Sequence, residues 1–476
     1  MERTWVRRPG IRLTIGVAAL LAVGAAPAFA QGLYYREIRR DDRIYVFNIA
    51  ANAERFEQAG EMDVGITKPG AGPNGETVVG DNARALQLFF FKHGIAEVVP
   101  DPPQPTLTMV WRDGKTRITT DNAYLEISSR VQVRFTHEDP SGNLSVGSPG
   151  GLAAGDDRAS FRIRRAKFKL EGWMMQPWIT YETQLNFPAV TGSNPGALLE
   201  DAALDIDFSK GRGTFRLHAG QFKPPYGAQE LTSSGSQMFV DRALVTNSFF
   251  RGRDTGVAFW GATPDNKLEW RVGLFNGNGV TRTSNDNDQF QYNTRLMWQP
   301  NGSQVLNQRA WVTGALYSES DFESTTTPIY AVAITYERQN TFLATAGTTG
   351  ANNDQKWHAC SVDGIYKFKG VSVNGMYAFA RRTAETGSTF DALGGFLQAG
   401  YLFSRRRFEV GVRYGTFDPS DLTARDNVKE IRGVFSYYYA RHVLKWQTDF
   451  GRVETALPLG GSQRLLELRS QLQFTF

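Results

Sequence analysis

The chain has 476 residues, with 53 Lys+Arg against 48 Asp+Glu, 12% aromatic residues, 48 Gly and a single Cys. The aromatic content excludes a disordered polymer, and one Cys excludes a disulfide scaffold or a CxxC-type zinc or redox site. A bundle of membrane helices needs several apolar runs of about 18 residues or more, and only the first 30 residues hold one. The net charge of +5 suggests nucleic acid until its position is considered.

Residues 1–30 read as a secretory signal. Arg3, Arg7, Arg8 and Arg12 precede or open an apolar run over Leu13–Ala26, and Ala28-Phe29-Ala30 is an A-x-A cleavage site. Its removal would leave 49 basic and 47 acidic residues, about +2. The basic excess is then mostly an export address, and no zinc-finger or RNP-type motif supports a nucleic-acid partner.

Residues 31–99 predict a small α+β unit in the periplasm. RIYVFN (43–48) reads as a strand and Ala51–Met62 as a helix. Thr67–Thr77, with Pro69, Gly70, Gly72, Pro73 and Gly75, reads as a loop. Asp81 is the expected cap of a second helix ending at His93 before Gly94, with Leu86, Phe89 and Phe90 as its buried stripe. A Pro-rich linker follows over 100–110.

From Tyr124 to Phe476 the hydrophobic period is two. Ile179, Tyr181, Leu185 and Phe187 alternate with Thr180, Glu182, Gln184 and Asn186; Phe408, Val410, Val412 and Tyr414 alternate with Glu409 and Arg413. Seventeen such segments are clear, with a further short candidate at Thr341–Ala346. That is too many for one sandwich. The connections alternate between short (Met174–Gln176, Ser209–Gly213, Thr263–Asn266, Lys369–Gly370, Ser404–Arg406) and long (138–158, 188–197, 223–252, 277–288). Aromatic residues gather at strand ends: Trp173, Trp178, Trp298 and Tyr437–Tyr439. The fold class is therefore a transmembrane antiparallel β-barrel over 111–476. Both barrel termini on one side require an even count, so sixteen strands are expected, with eighteen as the alternative; either leaves a wet lumen.

No HExxH, GxSxG or P-loop is present, the five His are scattered, and Cys360 lies within a strand, so neither an enzyme nor a cofactor or metal is expected. The charge inside the barrel says more. Arg130 and Arg134 share the inward phase of the first strand. In the next, FRIRRAKFKL (161–170), the apolar phase is odd before Arg164 and even after Arg165, as a β-bulge would produce. Arg162, Arg164, Arg165, Lys167 and Lys169 then all avoid lipid, where each charge near midplane costs about 2–4 kcal/mol. Such a ladder suits anions; pairing with Glu126, Glu182, Asp201, Asp205 and Asp207 is the alternative. The long loop after Gln221-Phe222 is expected to fold inward and bring Lys223, Arg242, Arg251 and Arg253 to the constriction.

SRVQVRF (129–135), FRIRRAKFKLEG (161–172), YETQLNF (181–187), LEDAALDIDF (199–208), AGQFKPPYGAQELTSS (219–234) and VDRAL (240–244) together resemble the phosphate-selective porin O/P family of Gram-negative outer membranes. The resemblance covers about 110–476, and the terminal QLQFTF is similar to the general outer-membrane assembly signal. It implies sixteen strands, a homotrimer embedded in outer-membrane lipid, an inward third loop, and passage of small phosphate-like anions. By position Arg130, Arg164 and Arg165 match the family's basic residues, and Glu200 or Asp201 the acid at the constriction. Where the selective members tend to have Lys before the Phe of the loop motif, this chain has Gln221, with Lys223 two residues on. General non-selective diffusion, and a structural or adhesive barrel with a plugged lumen, are the competing functions. An outer-membrane hydrolase and a soluble secreted β-protein are weaker ones.

Overall fold

A computed structural model describes residues 34–62, 65–96, 107–141, 157–187, 198–250, 252–280, 284–285, 288–300, 315–323, 327–342, 354–383, 387–403, 405–423, 426–458 and 460–476. The signal segment, most of the Pro-rich linker, Arg251 and the bulk of loops 138–158 and 188–197 lie outside them. The chain divides into two compact units, Met1–Pro105 and Thr106–Phe476.

The first unit is a four-stranded sheet between two helices. Its elements are β1 (Arg36–Arg40), β2 (Arg43–Phe47), α1 (Ala50–Ala59), β3 (Ile66–Lys68), β4 (Thr77–Gly80) and α2 (Ala83–His93), with sheet order β1-β2-β4-β3 and β2 parallel to β4. Alternation on β2 splits the core. Ile44 and Val46 pack with Val78, Leu86, Phe89 and Phe90, while Phe47 packs with Ala53 and Phe56 of α1. The cap of α2 is Asn82, whose side chain accepts from the Ala85 N–H at 3.0 Å, and not Asp81. Asp81 ties two elements instead, accepting from the Asn48 N–H and the Asn52 amide. Period-two reading missed β1, β3 and β4, which have five residues or fewer.

Glu37 is the electrostatic centre of this unit. It accepts from Tyr35 Oη at 2.5 Å and from Lys92 Nζ at 2.9 Å, with His93 Nε2 also at 2.9 Å. Burial alone would raise its pKa. The Tyr35, Lys92 and His93 contacts outweigh burial and push it down to about 2.

The second unit is all antiparallel strand. A short hairpin, β5 (Thr108–Arg112) and β6 (Lys115–Thr120), leads into β7 (Ala123–Ser141), β8 (Arg158–Met174), β9 (Gln176–Asn186), β10 (Leu198–Asp207) and β11 (Arg216–Phe222). Two short helices, α3 (Ala228–Leu231) and α4 (Leu244–Phe249), lie in the following loop. Then come β12 (Asp254–Ala262), β13 (Leu268–Phe275), β14 (Gln291–Trp298), β15 (Ile329–Phe342), β16 (Asp354–Phe368), β17 (Val371–Thr383) and β18 (Thr389–Phe403). The last four are β19 (Phe408–Asp418), β20 (Val428–Ala440), β21 (Leu444–Ala456) and β22 (Ser462–Thr475). Each strand pairs with its successor, and β22 pairs with β7 from Arg464↔Ser141 to Thr475↔Arg130. The barrel therefore closes at sixteen strands, not eighteen. The β5–β6 hairpin adds to the sheet beside the first residues of β7, Ala123–Ile127, before the barrel strands begin. Of the candidate strand Thr341–Ala346, the first two residues end β15 and the rest lie outside the described residues.

Closure satisfies the backbone groups that an open edge would leave bare in hydrocarbon. Phe476 completes it, since its N–H donates to Ser129 O at 2.8 Å and its O accepts from Ser129 N at 2.6 Å. Close backbone approach also requires Gly220 (φ 131°), where a Cβ would fall 2.1 Å from Ala202 O.

The outward face is apolar, with Val257, Phe259, Leu296, Val332, Ile334, Leu397 and Val412 exposed. Aromatic rings cluster at the short-turn end, where Phe215 stacks on Phe259 at 5.5 Å and Phe408 meets Tyr437 at 4.8 Å. Trp298 and Tyr439 belong to this outer set. Tyr438 does not: it points inward, buried, and donates to Glu409 at 2.5 Å. Trp173 and Trp178 lie in the inward phase of Glu171 and Glu182.

Acid should loosen the first unit. Glu37 titrates below its unfolded value, so its contribution is complete above about pH 4.5 and declines as pH falls toward 2. In the full chain, pepsin cleavage within residues 34–96 is expected to rise steeply across that interval, and Glu37→Gln is expected to flatten the rise and to weaken the unit at neutral pH.

Candidate functional site

Two β-bulges set the charge pattern inside the barrel. On β8 the register with β7 shifts between Gln132 and Val133, so that Arg165 faces Gln132 and Ile163 faces Val133. Arg164 is the extra residue, at the position where the apolar phase slips. On β10 the register with β9 shifts between Leu199 and Asp201. Glu200 and Asp201 are consequently both buried on the inner side. The alternation of LLEDAALDID does not announce this second bulge, because its two acids read equally well as one inward and one outward.

Most of the cations expected at the site meet acids in three groups. Asp241, on the loop between β11 and β12, faces Arg134 at 2.5 Å, Arg165 at 3.3 Å and Arg164 at 3.7 Å. Lys167 pairs with Glu200, and Arg253 holds Asp201 by two bonds of 2.7 and 2.9 Å while reaching Glu200 at 3.3 Å. Lys169 bridges Glu171 at 2.5 Å and Glu182 at 3.0 Å. At the short-turn mouth Lys115 and Arg117 join Glu126, and Lys115 reaches Glu171 at 3.1 Å.

The remaining expected residues divide. Arg162 stands opposite Arg134 and is exposed, with no ion pair among the described residues. Arg130 donates to Ser233 Oγ at 2.9 Å rather than to a carboxylate. Lys223 and Arg242 lie on the inward loop. Both turn onto Glu230 and onto the carbonyls of Glu230 and Thr232 at the end of α3. A helix end leaves carbonyls unsatisfied and favours cations; these two therefore brace the loop. Arg251 lies outside the described residues.

The loop itself folds inward and is bonded to the barrel wall on several strands. Arg295 on β14 binds Asp363 at 2.5 and 2.9 Å and donates to Tyr226 O at 3.0 Å. Arg413 on β19 donates to Asp241 O at 3.0 Å and stacks over Phe239 at 4.0 Å. Val240 N–H donates to Asp449, and Gln447 on β21 donates to Gln237 O and Met238 O. Apolar contacts add to this: Tyr226, Val245 and Phe249 pack on Trp357, Met376 and Phe396.

A second inward segment comes from the other end. The connection between β14 and β15 leaves from the short-turn side, yet its residues 315–323 lie within the barrel. Glu319 joins the two segments. Its carboxylate accepts from Met238 N–H at 2.8 Å and Gln229 Nε2 at 3.0 Å, and its N–H donates to Ser236 O at 3.0 Å. Ser320 and Tyr438 both donate to Glu409, and Gly370 N–H donates to Asp321. Sequence reading missed Asp241, Glu319 and Glu409, since each matters through a partner far along the chain.

Solvent reaches only part of the interior that is described. Inward residues of β13–β22 are almost wholly covered: Arg295, Gln398, Arg413, Lys445 and Gln471 are at most 1% exposed. Along β8 and β9 the side chains of Arg164, Lys169 and Glu182 remain 36%, 27% and 24% exposed. The exposed inward side chains of these two strands are cationic toward the long loops (Arg162, Arg164) and mixed in sign toward the short turns.

A profile for the family described as phosphate-selective porin O and P matches residues 150–474. Among solved structures, an anion-selective porin from Comamonas acidovorans matches with a TM-score of 0.51 and 10% identity over 74% of this chain and 100% of its own. The outer membrane channel DcaP of Acinetobacter baumannii matches with a TM-score of 0.51 and 11% identity, over 75% and 98%. At these identities the likeness concerns the fold. No match was found among curated protein sequences.

Glu319 is expected to be a stability determinant. Glu319→Ala leaves the buried Met238 N–H without its acceptor, a cost of about 1–3 kcal/mol, and leaves the Gln229 amide with only its bond to Gln398. The temperature at which the folded barrel loses its compact migration on a denaturing gel should fall, and trypsin should then cut within 223–253.

Proposed function

Since the chain belongs to the phosphate-selective porin O and P family, an outer-membrane porin family, we propose that it gives small anions, phosphate among them, a passive route across the outer membrane of a Gram-negative cell. The observation that carries this reading is the half-exposed cationic wall of β8. Arg162 and Arg164 meet solvent at the long-loop end, and among the described residues only Arg164 of the two faces a carboxylate, Asp241 at 3.7 Å. Confinement between low-dielectric walls strengthens such a field.

Lys169, Glu171 and Glu182 continue the route toward the short-turn mouth, where Lys115, Arg117 and Glu126 lie. There the signs are equal in number, which favours a second reading: selection at the long-loop end and indifferent diffusion below it. The proposal includes export through a cleaved leader at residues 1–30 and assembly as a homotrimer in outer-membrane lipid. Transport here needs no cofactor, and the protein acts as a passage rather than a catalyst.

In planar bilayers under a KCl gradient, the reversal potential is expected on the chloride side of zero. A potential on the potassium side contradicts anion passage, and absence of conductance contradicts a channel. Arg162→Glu should lower the chloride-to-potassium permeability ratio about threefold at 0.1 M salt and have little effect at 1 M, where the Debye length is only about 3 Å.

A further inference from the structure

Asp241 stands where a passing anion would be expected to bind. Three guanidinium groups surround its carboxylate, leaving two positive charges in excess. The three are not equivalent. Arg134 is fully buried and committed, donating to Asp241, to Val240 O at 3.1 Å and to Gln471 at 2.9 and 3.1 Å. Arg165 donates to Asp241 at 3.3 Å and to Gln132 at 2.9 Å. Arg164, the bulged residue, is 36% exposed, lies beyond hydrogen-bonding distance of Asp241 at 3.7 Å, and its Nε has no hydrogen-bond partner. The Asp241 carboxylate itself is 17% exposed, so the water beside β8 reaches it.

We infer that Asp241 is a tethered counter-anion occupying a lumen site built for a small oxyanion, and that its competition, together with the free donors of Arg164, sets how firmly the channel holds a carboxylate or phosphate in transit. A carboxylate and a phosphate share the feature recognised here: paired oxygens that accept from guanidinium groups. A solute anion approaching from the long-loop mouth passes Arg162 and then meets Arg164. It must then displace or share the covalently attached carboxylate, whose effective concentration is high because the loop holds it in place. Such an arrangement gives weak, rapidly reversed binding, which a passage requires and a high-affinity receptor would not.

The loop does not depend on the Asp241 side chain for its position. Val240 O accepts from Arg134, Val240 N–H donates to Asp449, and Asp241 O accepts from Arg413. Neutralising Asp241 therefore alters the charge while the backbone anchors remain.

The inference rests on the anion-passage reading and is tested with the full-length protein in planar bilayers, using inorganic phosphate and acetate as separate blockers of the chloride current. Asp241→Asn is expected to raise the chloride-to-potassium permeability ratio and to lower the half-blocking concentration of at least one blocker about tenfold. Arg164→Gln in the Asp241→Asn background is expected to reverse most of that gain. Tighter block by acetate alone assigns the site to carboxylates, by phosphate alone to phosphate, and by both to oxyanions generally. An Asp241→Asn channel with unchanged block and unchanged ratio overturns the inference. So does one that conducts more of both ions at the same ratio, since Asp241 would then only hold the loop. A gain that survives Arg164→Gln overturns the role of Arg164. Cation preference in the unaltered protein would instead overturn the passage reading beneath it.

Discussion

Charge near the middle of a bilayer costs about 2–4 kcal/mol when it faces lipid, and this chain carries Glu409, Arg413, Glu430, Arg432, Asp449 and Arg469 on strands that must face lipid on one side. All six point inward and are buried. A closed barrel moves the difficulty rather than removing it, because buried charge inside must still find partners. The inward loop and the 315–323 segment supply part of what the strands lack. Arg134 and Arg165 have Asp241, Arg413 has the Asp241 carbonyl and the Phe239 ring, and Lys445 has Gln237 O. The filled side of the lumen is thus a consequence of hiding charge from hydrocarbon.

The wet side follows from the same constraint. Toward the short-turn half of β8 the partners are strand residues: Lys169 with Glu171 and Glu182, and Lys167 with Glu200. No described loop residue caps Lys169 or Glu182, and these side chains stay hydrated. The two bulges increase the charge density in this part of the wall, since each turns two adjacent charged residues inward where regular alternation would turn one.

Much of this was legible in the sequence, for reasons that differ by level. Period-two alternation reports which face meets lipid, so strands such as β19 and β22 are evident from residues alone. The bulge at Arg164 was also visible, because the slip in apolar phase from Ile163 to Ala166 is a local signal. The Glu200 bulge was hidden, because two neighbouring acids carry no phase. Aromatic position misled for Tyr438, whose neighbours Tyr437 and Tyr439 do face outward; its inward orientation is decided by strand phase and by Glu409. Lys223 and Arg242 read as lumen cations, yet they serve the end of α3. No sequence window could show that, since Glu230 and the carbonyls they bind are brought to them only when the loop folds. The partnership of Asp241 with Arg134 and of Glu319 with Met238 spans 107 and 81 residues, beyond the reach of any local pattern.

The central claim is that water and solute pass beside β8 and β9 while the opposite wall is sealed by the inward loop. Single cysteines in a Cys360→Ser background, probed in the folded protein with a membrane-impermeant thiol reagent, test it directly. A cysteine at Glu182 is expected to react quickly and to lower conductance once modified, whereas one at Ser436, fully buried under the loop, is expected to react only after unfolding. Equal labelling at the two positions, or rapid labelling at Ser436 alone, would contradict it.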